Sequence, residues 1–210
     1  MSDTEPTLDT VEYPDIPRPI LGERLFRGDL EDWRNNACPH WYSNGNNWSL
    51  IATGYRHAAD KLVDMVIERQ ALADEMLYPV CFLYRHFVEL ALKEIIGLGN
   101  LRQLGDWRTE EGHNLSDLWK KTEPVLRGLF SRMQEEELEA VGKQIAELQE
   151  IDPKADGFRF PKTKKTKNQP EQVTLAGLRH VNLRHMRDVM AGIASLLEGS
   201  IERLSEAISA

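Results

Sequence analysis

Apolar residues recur along this chain at helical spacing in five separate stretches. From Trp48 to about Arg69, one face carries Trp48, Ile51, Ala52, Tyr55, Ala58, Ala59, Leu62, Val63 and Val66, which predicts a helix with Asn46 or Asn47 as its N-cap. A second helix is expected to start near Pro79, since proline is tolerated in a first turn, and to end at Gly97–Gly99. Its apolar residues, Val80, Cys81 and Leu83 through Phe87, Val88, Leu90 and Leu92 to Ile95 and Ile96, run nearly all round it. A helix apolar on most sides is a buried, central one. His113 or Asn114 then precedes Leu115, Leu118, Trp119, Val125, Leu126 and Leu129, a stretch that Pro124 is expected to divide, with Thr122 capping the second piece. Glu136–Glu150 is amphipathic, with Leu138, Val141, Ile145 and Leu148 inward and an acidic, solvated opposite face. Asn182 reads as the N-cap of a last long helix whose stripe runs from Leu183 and Met186 to Leu204 and Ile208.

Between these stretches the pattern breaks. Asp152-Pro153 opens a loop, Phe158-Arg159-Phe160-Pro161 reads as extended, and Lys162, Lys164, Lys165 and Lys167 form a basic run. Residues 152–176 are therefore an irregular insertion, with Phe158 and Phe160 anchoring it, and Val173–Val181 is extended or an irregular lead-in to the last helix. Residues 21–47 are irregular too, with Trp33 and Trp41 expected to pack a loop onto the core. Residues 1–20 combine four prolines with Asp3, Glu5, Asp9, Glu12 and Asp15, the composition of an extended or disordered arm. No repeat is visible. The expected fold is all-α, a helical bundle of about five helices with an irregular basic insertion, formed by a single domain over residues 21–210 after the arm.

Composition narrows the class. The 210 residues are 41% hydrophobic and 29% charged, ordinary for a globular chain able to bury a core without staples. No apolar run approaches the roughly 20 residues that span a bilayer. The first 20 residues offer acids and prolines where a signal peptide needs a basic and then an apolar stretch, so the expectation is a cytoplasmic protein with no membrane partner. The net charge of −8 argues against a duplex-DNA-coating surface, although the acids are unevenly placed and leave room for a local basic patch. Two cysteines, Cys38 and Cys81, make no disulfide framework, and Cys38-Pro39-His40 lacks a second ligand pair at zinc-like spacing. No metal and no cofactor is expected.

Candidate chemistry begins on the central helix. Arg85, Glu89 and Lys93 lie one turn apart from one another, with His86 adjacent. Charges on so apolar a helix must be paired or face a cleft, because a buried unpaired charge is expensive. The stripe is thus either a structural ion-pair ladder over a helix seam or a polar pocket. Gly112-His113-Asn114-Leu115 looks like a tight turn entering a helix, where His113 either caps or approaches the stripe.

These segments together resemble a known group. Tyr84-Arg85-His86-Phe87-Val88-Glu89-Leu90-Ala91-Leu92-Lys93, followed by Gly112-His113-Asn114-Leu115, is similar to prokaryotic HEPN-type helical domains. Asp152-Pro153 and Phe158-Arg159-Phe160-Pro161 resemble an element of uncharacterised relatives, and the likeness spans roughly residues 48–200. The resemblance implies a helical bundle, often dimeric. Many members are metal-independent ribonucleases of toxin or phage-defence systems, and others are their inactive partners.

Active members carry an Arg followed at short spacing by a His. Here the resemblance maps onto Arg179-His180-Val181-Asn182-Leu183-Arg184-His185, with His185 for acid–base transfer at the RNA 2′-hydroxyl and Arg179 for the phosphate charge. Arg85-His86 has no His at the required distance. Arg159 and the lysines 162, 164, 165 and 167, with Arg184 and Arg187, would supply a phosphate-binding surface, or only a solvated basic loop. The expectation is a HEPN-like endoribonuclease working on RNA as a homodimer or with a cognate protein partner. The alternative is a non-catalytic protein-interaction or nucleotide-sensing module in which Arg85, Glu89, Lys93 and His113 are structural.

Overall fold

The structure is a computed structural model of the chain, and it describes residues 21–28, 31–39, 48–102, 104, 112–130, 135–163 and 170–209. The arm 1–20, Trp41, the Asn44–Asn47 cluster and Lys164, Lys165 and Lys167 lie outside the described residues. The chain divides into two compact units, residues 1–41 and 42–210. In the first, the described residues hold one 3₁₀ turn, Trp33–Asn35, with nothing buried. Within this unit the Trp33 side chain is exposed, and the Arg34 guanidinium lies 5.6 Å from its ring centroid.

The second unit is an all-α bundle. Its helices are α1 (Trp48–Ile67), α2 (Ala73–Leu101), α3 (Leu115–Leu129), α4 (Glu135–Ile151) and α5 (Leu183–Ser209). Among the described residues the only pairing of extended backbone is an isolated antiparallel bridge, Lys162 with Val173. No helix is long and apolar enough to cross a membrane. Helix α2 lies at the centre, packed by α1, α3 and α5, while α4 packs on α3. From Val80 to Gly99 nearly every α2 side chain is buried, as its all-round apolar pattern predicts. Leu83 departs from that pattern and is only half-buried. In α1 the buried line is Ala52, Ala59 and Val63, and the expected core residues Ile51 and Ala58 lie exposed at its edge.

Three helix ends differ from the sequence reading, each for a physical reason. Helix α2 starts at Ala73, well before Pro79. Pro79 withholds one hydrogen bond, from the carbonyl of exposed Glu75, which water can satisfy, and Asp74 and Glu75 favour the positive end of the helix. At its other end α2 runs through Gly99 to Leu101. A Cβ on Gly99 would lie 2.8 Å from Val125 Cγ2, so this glycine admits α3 rather than ending α2. Helix α3 is not divided at Pro124, and the Thr122 hydroxyl donates to the Leu118 carbonyl (3.0 Å) within the same helix instead of capping a second one. Gly142 serves α4 as Gly99 serves α2, since a Cβ there would lie 2.7 Å from Trp119 Nε1.

Asn182 caps α5 as expected, and the cap of α3 is Asn114 rather than His113. Asn114 Oδ1 accepts from the Asp117 amide (3.0 Å) and Asn182 Oδ1 from the His185 amide (3.1 Å). The described start of the insertion is tied by local hydrogen bonds. Asp152 Oδ1 accepts from the amides of Asp156 (2.9 Å) and Gly157 (2.8 Å), and the Arg159 and Phe160 amides return to the Asp156 carbonyl. Residues 157–159 therefore turn rather than extend, which corrects that expectation. The turn buries Phe158 and leaves Phe160 45% exposed, so only the first of the two anchors the segment.

Candidate functional site

Two places hold the residues singled out from the sequence. The first is the charged stripe of α2, which folds into a closed cluster. Arg85 donates from Nη1 to Glu89 Oε2 (3.2 Å) and from Nη2 to the His113 carbonyl (2.9 Å). Lys93 Nζ donates to Glu89 Oε1 (2.9 Å), and His113 Nδ1 stands 2.7 Å from the same oxygen. Arg85 Nε faces Asp152 Oδ2 at 3.4 Å, an ion pair without a hydrogen bond, so Nε is the one fully buried side-chain nitrogen or oxygen lacking such a bond among the described residues. Arg85, Glu89 and Asp152 side chains are no more than 3% exposed, whereas the His113 ring is 71% exposed. Two cations thus meet two carboxylates out of water, and His113 closes the cluster at the surface.

That balance explains the electrostatics. Burial alone would raise the Glu89 carboxyl, but the bonds from Lys93 and His113 outweigh it and hold it below the usual carboxylate range. His86 is not brought into the cluster. It stacks on Phe82 at 5.8 Å and meets Tyr55 edge-on at 4.5 Å, and burial lowers its pKa first of all. Asp152 is the member that sequence reasoning missed, having read it only as a loop opener. The signal was the stripe's own arithmetic, two cations to one acid, which requires a second carboxylate if the stripe is buried.

The second place is the start of α5. Arg179 lies exposed in the bend before the cap, and His185 is exposed in the first turn. No hydrogen bond joins the two, and no ion pair among the described residues engages Arg179, Arg184, His180 or His185. His180 and His185 stand at the mouth of a cavity of about 270 Å³ between α4, the insertion and α5, which Arg179 does not line. Its walls are apolar, with Phe158, Leu148, Met186 and Met190 prominent, and Gln144 and Glu147 of α4 supply polar edges. Cys81 at its floor is inert, because burial pushes its thiol up to about 12.

Three cations of the expected phosphate surface are paired within the chain, and Lys164, Lys165 and Lys167 lie outside the described residues. Arg159 donates to the Ala155 carbonyl (2.9 Å) and to Asp156, and its guanidinium lies 5.5 Å from the Phe160 ring centroid. Lys162 pairs with Glu171 (3.2 Å) and Arg187 with Asp64 (2.6 Å). Among the described residues of this region, Lys154, Arg179 and Arg184 are cations without an ion pair. No group of three or more His, Cys, Asp or Glu side chains is placed to hold a metal ion among them.

Fold and sites together define an all-α bundle with a neutral, buried charge cluster on its central helix and a histidine-rimmed apolar cavity at the start of its last one. Compared with known families, curated proteins and solved structures, the chain matches none.

Proposed function

We propose that this chain is a HEPN-like helical domain that cleaves RNA without a metal, with its chemistry at the start of α5. The observation that carries the reading is the exposure of His185, at the mouth of a cavity, beside unpaired Arg179 and Arg184. An exposed imidazole is free to take a proton, and unpaired guanidinium groups are free to meet a phosphate. In the proposed step His185 accepts the 2′-hydroxyl proton as the 2′-oxygen bonds to phosphorus. The phosphorus–O5′ bond breaks, O5′ leaves with a proton from solvent, and a 2′,3′-cyclic phosphate remains. Arg179 offsets the charge that gathers on the phosphate. Within one chain Arg179 and His185 are not joined, which is the reason for favouring a homodimer whose α5 N-termini share one cleft. A place in phage defence or a toxin–antitoxin pair follows from the resemblance alone.

The test is cleavage of single-stranded RNA by the purified protein in EDTA, with the ends identified. Cyclic phosphate ends, loss of about 10²–10⁴-fold in rate in His185→Ala, and resistance of DNA are the expected results. Activity that survives in His185→Ala, or that needs added metal, rejects the mechanism.

One observation favours the second reading, a non-catalytic interaction or nucleotide-sensing module. Every charge of the Arg85–Glu89–Lys93–His113–Asp152 cluster already has a partner of opposite sign, which leaves that cluster a structural role.

A further inference from the structure

The cavity beside His185 has features that RNA cleavage alone does not require. At about 270 Å³ it falls just below the roughly 300–1,000 Å³ typical of small-molecule sites, which suits one ring system rather than an extended ligand. Phe158, 4% exposed, offers an aromatic wall, and the thioethers of Met186 and Met190 make favourable contacts with aromatic rings. The polar groups are few and sit together. Gln144 and Glu147 lie one turn apart on the same side of α4 and reach the cavity from one wall. No ion pair or hydrogen bond occupies either side chain among the described residues. The two histidines stand opposite in chemistry, at the mouth, next to the unpaired Arg184.

We propose that this cavity is a nucleobase pocket that selects guanine, so that the phosphate attached to the bound nucleoside falls at His180 and His185. The inference rests on the RNA reading for the identity of the ligand and deepens it by naming the base. The choice of guanine comes from hydrogen-bond complementarity. A carboxylate accepts only, with two oxygens side by side, and guanine alone among the four bases presents two adjacent donors, N1–H and N2–H, on its pairing edge. Glu147 matches that pair. The Gln144 amide, which both donates and accepts, can then meet the guanine O6. Adenine would set its N1 lone pair against the carboxylate, and an unmatched polar contact of that kind discriminates strongly.

The test uses the full chain labelled with ¹³C at the methionine methyls and titrated separately with guanosine 3′-monophosphate and adenosine 3′-monophosphate. The expected result is movement of the Met186 and Met190 methyl signals with Met65 on α1 unmoved, and guanosine binding about tenfold or more tighter than adenosine. Glu147→Ala, at an exposed position, should keep the methyl shifts and lose the preference. Val181→Trp, which fills the cavity from the lead-in to α5, should lose binding of both, with circular dichroism confirming the fold. Methyls that stay still at millimolar nucleotide, or equal binding of the two bases, overturn the proposal. Because the titration needs no turnover, binding without RNA cleavage would sink the nuclease reading alone, and cleavage without binding would sink this one alone.

Discussion

Replacing Glu89 by alanine should be among the most damaging single changes in the chain. The carboxylate is 3% exposed and serves Arg85, Lys93 and His113 together. Its removal leaves buried Lys93 with no carboxylate partner and buried Arg85 with only Asp152, whose other oxygen is committed to the amides of Asp156 and Gly157. Breaking a buried pair by removing one partner costs about 3–5 kcal/mol, far more than the pair itself contributes. For a chain of this length each kcal/mol lowers Tm by roughly 2–4 °C, so the expected drop is about 6–20 °C. Differential scanning calorimetry measures it, with Glu150→Ala on the exposed face of α4 as a control expected within about 0.5 kcal/mol of the parent. Since charge imbalance is the cause, Glu89→Ala combined with Lys93→Met should be less unstable than the two single effects added. The pH dependence has a definite sign. The bonds from Lys93 and His113 hold the folded-state pKa of Glu89 below the ordinary carboxylate value, so its contribution is present above the unfolded value and is lost as pH falls through the depressed folded value. The stability gap between the parent and Glu89→Gln should therefore narrow below about pH 4.5. A Glu89→Ala melting point equal to that of Glu150→Ala would refute this account of the cluster.

Three further outcomes follow from the packing. Leu92→Ala, fully buried at the centre of α2, should cost about 2–5 kcal/mol in chemical denaturation, and half-buried Leu83→Ala distinctly less. Gly99→Ala, although it improves helix propensity, should destabilise by about 1–3 kcal/mol because the added methyl meets Val125, and a gain in stability would contradict the close α2–α3 approach. Glu94 is buried with no partner of its own among the described residues, and burial raises its pKa. The folded state therefore holds its proton more tightly than the unfolded chain, and stability falls as pH rises through that range. Glu94→Gln should raise Tm at pH 7 and leave it nearly unchanged near pH 4.

The parts of the fold legible in the sequence were those set by local repetition. The five apolar stripes, the Asn114 and Asn182 caps and the burial of α2 all follow from spacing that neighbours in the chain enforce. What misled was punctuation. Pro79, Pro124 and Gly99 are helix breakers by propensity, yet each sits inside a helix, because one lost hydrogen bond or one flexible residue costs less than the packing of the whole element returns. The charged stripe was legible as a cluster because Arg85, Glu89 and Lys93 recur by turns. Asp152 was not, because it reaches them from 63 positions beyond Glu89 through tertiary structure. Nor was the polar seam in which Tyr84 donates to Asp60 (2.6 Å) and Arg56 joins Asp60 to Glu198, since it draws on three helices. Nor were the partners of the insertion's cations legible, since Arg159 and Lys162 meet acids of their own segment.

Asp152 also ties the two sites to each other. One of its oxygens faces Arg85 in the buried cluster, and the other fixes the turn that buries Phe158 against the cavity. The cluster neutralises itself and leaves no charge to react with a ligand, so whatever it contributes to binding must come through position. It holds the end of α4 and the first turn of the insertion against α2, and those are two of the cavity's walls. The start of α5 is different in kind. Its backbone is capped by Asn182 and its apolar side is packed, so its fold does not depend on Arg179, Arg184 or His185. Those side chains are unspent because stability does not require them, and groups that a fold exposes without using are the ones available to a ligand. The charges that hold the fold are thus distinct from those left unpaired at the start of α5, and a single carboxylate, Asp152, links the buried cluster to a wall of the cavity.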